Sequence, residues 1–332
     1  MKCDVKNISG CQKQINIEIS GTELSAGFER VYADIRKSAR IPGFRPGKAP
    51  RDLIETRFGG QAKEELLRRA IPEYYMLAVK QQELFPVAPP DIENVQLQDD
   101  SLKFSAKVDV RPEVKIKSYK KLKLAKKNIA VTQEQINQAL ERLRASKAKD
   151  QQQPPKLDDQ LAKDLGFNSL THLQDVVRDN LNAQAEAEAK RDLERQLLEQ
   201  LLKRAALDVP ESLVKAQTQE TFKQIRMNCI LRGEKEEDIQ AKETQLQQQA
   251  QALAAQRVKL SFMLDKIAEL ENIQVEQQDL EARIEGLAQH TGKSKDEVQA
   301  YLEKENLLGG IKAELRDGKT VAFLMKEAEI KE

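Results

Sequence analysis

From residue 156 to the end, the chain reads as one helix after another. Apolar residues return at three- and four-residue spacing, and glycine or proline seldom interrupts them. Over the whole chain, 14 Gly and 11 Pro make up about 7.5% of the 332 residues, against an ordinary share of about 12%. A chain so short of breakers has to bury long helical stripes against one another rather than weave a loop-rich enzyme fold. Trp is absent and aromatic residues are only 4%, so aliphatic side chains must fill the cores. With 39% apolar residues there is enough material for those cores, and the 33% of charged residues describes much exposed surface rather than disorder.

Within the helical half, Thr171-x-x-Gln174 has the form of a capping box ahead of Leu173, Val176, Val177 and Leu181. That helix is expected to run to Ala206 through Leu193, Leu197, Leu198, Leu201 and Leu202. Val209-Pro210 opens the next helix and Gly233 stops it. In the segment 235–271, Ile239, Leu246, Leu253, Leu260 and Ile267 repeat every seven residues. The partner seam (Glu243, Ala250, Arg257, Leu264, Glu271) is too polar for a self-sufficient coiled coil. A long arm lying against its neighbours along one ridge is expected instead. Helices near 276–290, 294–305 (capping box Ser294-x-x-Glu297) and 307–328 close the chain.

The first 112 residues read differently. Ile15, Ile17 and Ile19 alternate with polar residues, which predicts a half-buried strand after a hairpin turn at Gly10. A helix follows with Phe28, Val31, Tyr32, Ile35 and Ala39 on one face, and it stops before Pro42. Pro50 suits the first position of a second helix carrying Leu53, Ile54 and Phe58. A further helix carries Leu66, Leu67 and Ala70, and Pro72 restarts or kinks it. The run Phe85-Pro86-Val87-Ala88-Pro89-Pro90 ends the helices, and strands over 92–98 and 102–111 turn at Asp99-Asp100. The fold class is therefore an α+β N-terminal domain followed by an elongated, all-helical C-terminal domain with arm-like helices. The tract Lys149 to Pro155 reads as a linker.

Charge and composition exclude several functions. Fifty-five basic against 54 acidic residues give a net charge of +1, which excludes a wholesale polyanion binder but leaves local patches open. Cys3, Cys11 and Cys229 are odd in number and scattered, so a reducing compartment fits better than a disulfide framework. Only His172 and His290 are available for imidazole chemistry, which leaves little for a His-centred catalytic or zinc site. Charges at Lys2, Asp4 and Lys6 stand where an export signal needs an apolar stretch. No window approaches 18 apolar residues, so no membrane partner and a cytoplasmic location are expected.

The segment Ile41-Pro42-Gly43-Phe44-Arg45-Pro46-Gly47-Lys48-Ala49-Pro50 carries the most information. Its prolines stop one helix and start another, and its glycines allow a tight protruding turn. Phe44 and Arg45 at the tip suit an anchor on another macromolecule. Seven basic residues within 36–57, against Asp52 and Glu55, point to a phosphate-rich or acidic partner. The plainer reading is an ordinary connector between two helices. Gly43 to Lys48 also spells GxxxGK, but a phosphate-binding loop needs four residues before the GK and a Ser or Thr after it, and Ala49 follows here.

At this loop the chain resembles the trigger factors, bacterial ribosome-associated chaperones. The matching residues are Gly43-Phe44-Arg45-x-Gly47-Lys48-x-Pro50, Arg57-Phe58-Gly59, Pro86-Val87-Ala88-Pro89, Arg111-Pro112-Glu113-Val114 and Leu207-Asp208-Val209-Pro210. The resemblance implies a ribosome-binding domain over 1–112, with Gly43, Phe44, Arg45, Pro46, Gly47 and Lys48 docking near the tunnel exit of the large subunit, on protein and rRNA. Position 46 is often basic in the family, and Pro46 removes that charge. An extended linker and linker helix would occupy 113–155, and a helical domain over 156–332 would cradle nascent and unfolded polypeptides. Core packing is the default reading of Phe222, Ile225, Met227, Ile230, Phe262, Met263, Leu307, Leu308, Phe323 and Met325, and they are also the apolar candidates for that cradle. The family usually inserts a prolyl isomerase domain after the linker helix. Only a few residues separate Lys149 from Leu157-Asp158-Asp159-Gln160-Leu161, which resembles the start of the helical body, so no isomerase activity is expected. No cofactor is implied, and a homodimer off the ribosome is a further partner to consider.

Two readings stay open. The lysine run at 115, 117, 120, 121, 123, 126 and 127 is either a solvated edge strand protected against pairing or a site of extra attraction to ribosomal RNA. The heptads at 239–267 leave a structural coiled-coil adaptor without ribosome docking as the alternative function.

Overall fold

The computed structural model describes the chain apart from residues 40, 43, 45, 46, 99, 100, 117, 127–129, 149–155, 206 and 332, and apart from the side chains of 147 and 148. The expected turn at Asp99-Asp100 and the linker tract to Pro155 thus lie outside the described residues. The chain forms two compact units, each built from two stretches of sequence: Met1–Lys115 with Ala206–Phe262, and Ile116–Ala205 with Met263–Glu332.

In the first unit, β1 (Lys2–Asn7) and β2 (Gln12–Ser20) form the expected hairpin. They join β3 (Asp91–Gln98) and β4 (Ser101–Asp109) in an antiparallel sheet of order β1-β2-β4-β3. The period-2 pattern fixes the register. Ile15 and Ile17 stand opposite Ala106 and Phe104, and Ile19 opposite Leu102, so these six residues share one apolar face of the sheet. Two helices, α1 (Thr22–Ser38) and α2 (Arg51–Gln81), cover that face with Leu24, Val31, Ile35, Ile54, Ala62 and Leu66. The helices meet closely at Gly27, where a β-carbon would come within 2.9 Å of Leu66 Cδ1. In α2, Pro72 neither restarts nor ends the helix. The helix continues through it because Ala70, Tyr75, Ala78 and Val79 keep the buried stripe running beyond it. Pro50 caps α2 from just outside rather than filling its first turn.

The same unit holds α6 (Glu211–Leu231), α7 (Glu236–Ala241) and the first part of α8 (Glu243–Leu270). The expected long segment is broken at Lys242. The buried ridge of α8 in this unit is Ala250, Ala254 and Val258, at a spacing of four. Leu253 of the seven-residue series is exposed. Small residues on a four-residue ridge let a neighbouring helix approach, whereas a coiled-coil seam alternates between three and four. Arg257 Nη1 donates to Thr221 Oγ1 at 3.3 Å and to Gln224 Oε1 at 3.0 Å, tying α8 to α6. Asp109, at the end of β4, joins the sheet to α6. Its Oδ1 accepts from Gln12 Nε2 at 3.2 Å and its Oδ2 from the Ser212 backbone N–H at 2.9 Å. Beside it, Cys11 Sγ donates to the Asp208 carbonyl at 2.9 Å. Burial, with Asp208 and Asp109 nearby, pushes this thiol up to about 11.

The second unit contains β5 (Lys123–Ala125), α3 (Gln133–Ala148), α4 (Asp159–Asp164), α5 (Leu170–Arg204), the end of α8, α9 (Gln277–Thr291), α10 (Lys295–Lys304), α11 (Leu308–Lys326) and β6 (Glu329–Lys331). Ser169 caps α5 by accepting from the His172 N–H at 3.2 Å, so the start lies two residues before the expected Thr171 box. The Ser294/Glu297 box does cap α10. The helical run ends in a strand: β6 pairs in parallel with β5, Leu124 opposite Ile330. Ile136, Leu140, Ala162, Leu173 and Val177 make one core of this unit, and Leu280, Ile284, Ala288, Val298 and Leu302 make another.

Candidate functional site

The loop between α1 and α2 is anchored at both ends. Ile41 and Ala49 are buried in the core of the first unit, and the Gly47 N–H donates to the Arg36 carbonyl at 3.1 Å, closing the loop at its stem. Gly47 has φ of 83°, the left-handed region that glycine enters without strain. The Phe44 N–H donates to the Ile41 carbonyl at 3.1 Å, a tight turn that leaves the ring 43% exposed. Lys48 is exposed as well. Gly43, Arg45 and Pro46 lie outside the described residues.

Arg51, which sequence reasoning counted only as one basic residue among seven, fixes the base of this loop. Its guanidinium lies 5.4 Å from the centre of the Tyr32 ring and pairs with Glu29 of α1 and, at 2.5 Å, with Glu55 of α2. Hydrogen bonds to these two carboxylates push its pKa further up, so the clamp stays charged. The signal for this role was present as Arg51-x-x-x-Glu55, a helical i,i+4 pair, but Glu29 and Tyr32 lie on a different helix.

The apolar candidates divide by burial. On α6, Phe222 and Ile225 are half-buried while Met227 and Ile230 are exposed. Leu231, which the sequence reading did not single out, is 77% exposed at the end of the same helix. A cleft of about 420 Å³ beside these residues is lined by Ile225, Cys229 and Leu246 with a polar rim of Arg232, Glu234 and Lys242. Burial raises the Cys229 thiol, helped by its hydrogen bond with Glu234. Phe262 is half-buried. Met263 has 0% exposure, so its side chain is core and presents nothing to a partner. In the second unit Leu307 is exposed, and Leu308, Phe323 and Met325 are half-buried. Tyr301, also missed from sequence, is exposed. Lys120 Nζ sits 5.4 Å from the centre of the Phe323 ring and 2.7 Å from Glu271, which also accepts from Tyr119 OH at 2.7 Å.

Among the described residues, no group of three His, Cys, Asp or Glu side chains is placed to hold a metal ion. No helix among them is long and apolar enough to cross a membrane. These side chains offer contact surfaces: a pinned aromatic loop in the first unit and apolar helix ends in both.

Two family profiles match the chain in order: "Bacterial trigger factor protein (TF)" over residues 1–143, and "Bacterial trigger factor protein (TF) C-terminus" over 169–326. The trigger factor of Syntrophotalea carbinolica is 22% identical over 423 aligned residues, which take in 99% of this chain and 96% of that protein. More than ninety residues of that relative therefore face gaps in this 332-residue chain. The trigger factor of Geobacter sp. strain M21 is 24% identical, over 100% of this chain and 98% of its own. The trigger factor of Mycolicibacterium smegmatis is 41% identical over 147 residues, 44% of this chain and 31% of that protein. A solved structure of the trigger factor chaperone, from work on promiscuous substrate recognition in its folding and assembly activities, shares the fold. Its TM-score is 0.64 at 16% identity, covering 98% of this chain and 99% of that one. The chain belongs to the trigger factor family.

Proposed function

We propose that the chain is an ATP-independent chaperone of the cytoplasm, which docks at the polypeptide exit of the large ribosomal subunit and shields apolar segments of nascent proteins. The observation that carries the docking reading is the loop stem. Ile41, Ala49, the Gly47–Arg36 hydrogen bond and the Arg51 clamp hold in place a turn whose aromatic tip is left in water. An exposed ring held this way loses little entropy on binding. With 43% of the residue exposed, completing its burial is worth about 0.6–1.3 kcal/mol. Gly43, Phe44, Arg45, Pro46, Gly47 and Lys48 form the contact, within a docking domain of residues 1–112.

The client surface is drawn from the exposed or half-exposed apolar residues Phe222, Ile225, Met227, Ile230, Leu231, Phe262, Leu307, Leu308, Phe323 and Met325. Each contact is weak. Tethering at the tunnel exit supplies an effective concentration that lets weak binding hold a client, and release then needs no energy source. Off the ribosome, a second copy covers the same surfaces. The residues that face gaps against the full-length relatives correspond to the family's isomerase domain, since only a few residues of sequence separate the linker helix from the start of the helical body. The chain therefore does not catalyse prolyl isomerisation.

The test pairs ribosome co-sedimentation with suppression of aggregation of an unfolded client. Replacing Phe44, Arg45 and Pro46 by Ala abolishes co-sedimentation and leaves holding intact. Undiminished co-sedimentation overturns the docking assignment, and catalysis in a proline-limited refolding assay overturns the reading of the gap.

A further inference from the structure

The sheet of the first unit has two edge strands, β1 and β3, and they differ. The ladder of β3 is broken by a register shift between Glu93 and Gln96, where Asn94 has φ of 55°. A bulge of this kind spoils an edge for further pairing. β1 is regular over its whole length.

The hydrogen bonds identify the backbone groups that β1 leaves over. The Ile8 N–H donates to the Gln12 carbonyl at 2.9 Å, so these two form a hydrogen-bonded pair at the end of the β1–β2 ladder. Such pairs alternate along an antiparallel ladder. Lys6, Asp4 and Lys2 are therefore the residues that bond to Gln14, Asn16 and Glu18. The other side of β2 agrees. The Val110 N–H donates to the Cys11 carbonyl at 2.8 Å, which turns the odd-numbered residues of β2 toward β4 and the even-numbered ones toward β1. The N–H and C=O groups of Cys3, Val5 and Asn7 thus point away from the sheet, and among the described residues no backbone group outside the sheet meets them.

The side chains say what fits this edge. Lys2, Asp4 and Lys6 are exposed along one face, and Cys3 and Val5 are half-buried on the other. Edge lysines alone discourage pairing, but Asp4 stands between them. Asp4 and Lys6 have no ion-pair partner among the described residues. A closed pair of identical copies needs the two strands antiparallel. Centred on Val5, that pairing sets Asp4 of each copy opposite Lys6 of the other, brings the two valines together and joins Cys3, Val5 and Asn7 through about six backbone hydrogen bonds. Centred on Asp4, it opposes Asp4 to Asp4 and Lys2 to Lys6. Centred on Cys3, it overlaps only the first five residues, and the Met1 ammonium is already held by Glu23 at 2.9 Å.

We infer that β1 is an interaction surface for a second copy of this chain, joining the two sheets antiparallel about Val5. The contact uses neither the Phe44 loop nor the apolar helix residues, so it stands or falls apart from the proposed function.

A contact this small is weak, so the full chain is followed by sedimentation velocity up to several hundred micromolar. The parent should pass from monomer to dimer. Asp4→Lys and Lys6→Asp each set two like-charge pairs in the contact and should each raise the dissociation constant about tenfold. Mixing the two variants sets Lys opposite Asp at both places and should restore association to within a few-fold of the parent, which unfolded variants could not do. Hydrogen exchange of the parent gives a second reading. Protection of the Cys3, Val5 and Asn7 amides should rise with protein concentration, while the Asp4 and Lys6 amides, already bonded to β2, stay protected throughout. The inference is overturned if the parent remains a monomer, if either charge variant associates as the parent does, or if mixing restores nothing. It is also overturned if the three amides gain protection only when an unfolded polypeptide is added, which would assign the edge to a client.

Discussion

Replacing Asp109 by Ala should loosen the start of α6 more than any surface substitution in the chain. Asp109 is 7% exposed, and its two carboxylate oxygens serve two donors, Gln12 Nε2 and the Ser212 N–H. Ser212 is the second residue of α6, and the helix's own preceding residue, Pro210, supplies no side-chain cap. Asp109 therefore acts as an N-cap delivered from a strand about a hundred residues away in sequence. Losing an N-cap costs about 0.5–2 kcal/mol. That figure already includes the unpaired Ser212 N–H. Gln12 also loses its acceptor, but it is only half-buried, so water replaces part of that loss and the sum is about 1–3 kcal/mol of local stability. Asn at 109 keeps one acceptor and should cost about half as much. Hydrogen exchange of the Ser212 amide reads this directly. At about 2 kcal/mol its protection falls roughly thirtyfold, while Ile17 and Phe104 amides in the sheet keep theirs. Unchanged protection at Ser212 in the Ala variant would refute the cap.

Three further outcomes follow from named contacts. Asp317 is partly buried near Asp265, and burial first and that carboxylate second raise it to about 6 from an ordinary 3.8, with Arg316 opposing. Its charged form therefore costs stability. The folded state is favoured below the unfolded value and loses that advantage as pH rises through about 6. Asp317→Asn should match the parent near pH 4 and exceed it by roughly 1 kcal/mol at pH 8, after allowance for solvent screening. A thermal-melting gap that does not change with pH would contradict this. Pro72 lies exposed inside α2, so Pro72→Ala restores a backbone donor and should stabilise the first unit by about 1–3 kcal/mol in urea titrations. Met227→Ser with Leu231→Ser should leave melting unchanged, since both side chains are exposed, and should weaken suppression of client aggregation several-fold.

Much of the first unit was legible because its elements carry strong local periods: the alternation around Ile15 to Ile19 and the breaks at Pro42 and Pro50 placed the hairpin and the first two helices. The misreadings have separate physical causes. Pro72 looked like a boundary, yet one lost backbone hydrogen bond weighs little against the buried stripe from Ile54 to Val79. Thr171 looked like a cap because its partner at 174 fits the box, but Ser169 reached the His172 N–H first. Strand β6 was invisible because three residues carry no period and their partner lies some two hundred residues away. The leucine heptads of α8 drew attention from Ala250 and Ala254, whose small size, not hydrophobicity, makes the contact. Phe44 was legible from Pro and Gly spacing, whereas Arg51 was not, because its clamp joins two helices. Met263 shows the limit of reading an apolar residue as surface, since burial depends on which helix face the neighbours cover.

In the proposed function, one chain docks through the loop and holds clients through its helices. Photo-crosslinking groups at positions 44 and 230, introduced separately and activated on ribosomes carrying a stalled apolar nascent chain, test both parts at once. Position 44 should crosslink to the large ribosomal subunit and position 230 to the nascent chain. Absence of ribosomal adducts from position 44, alongside undiminished ribosome binding, would contradict it.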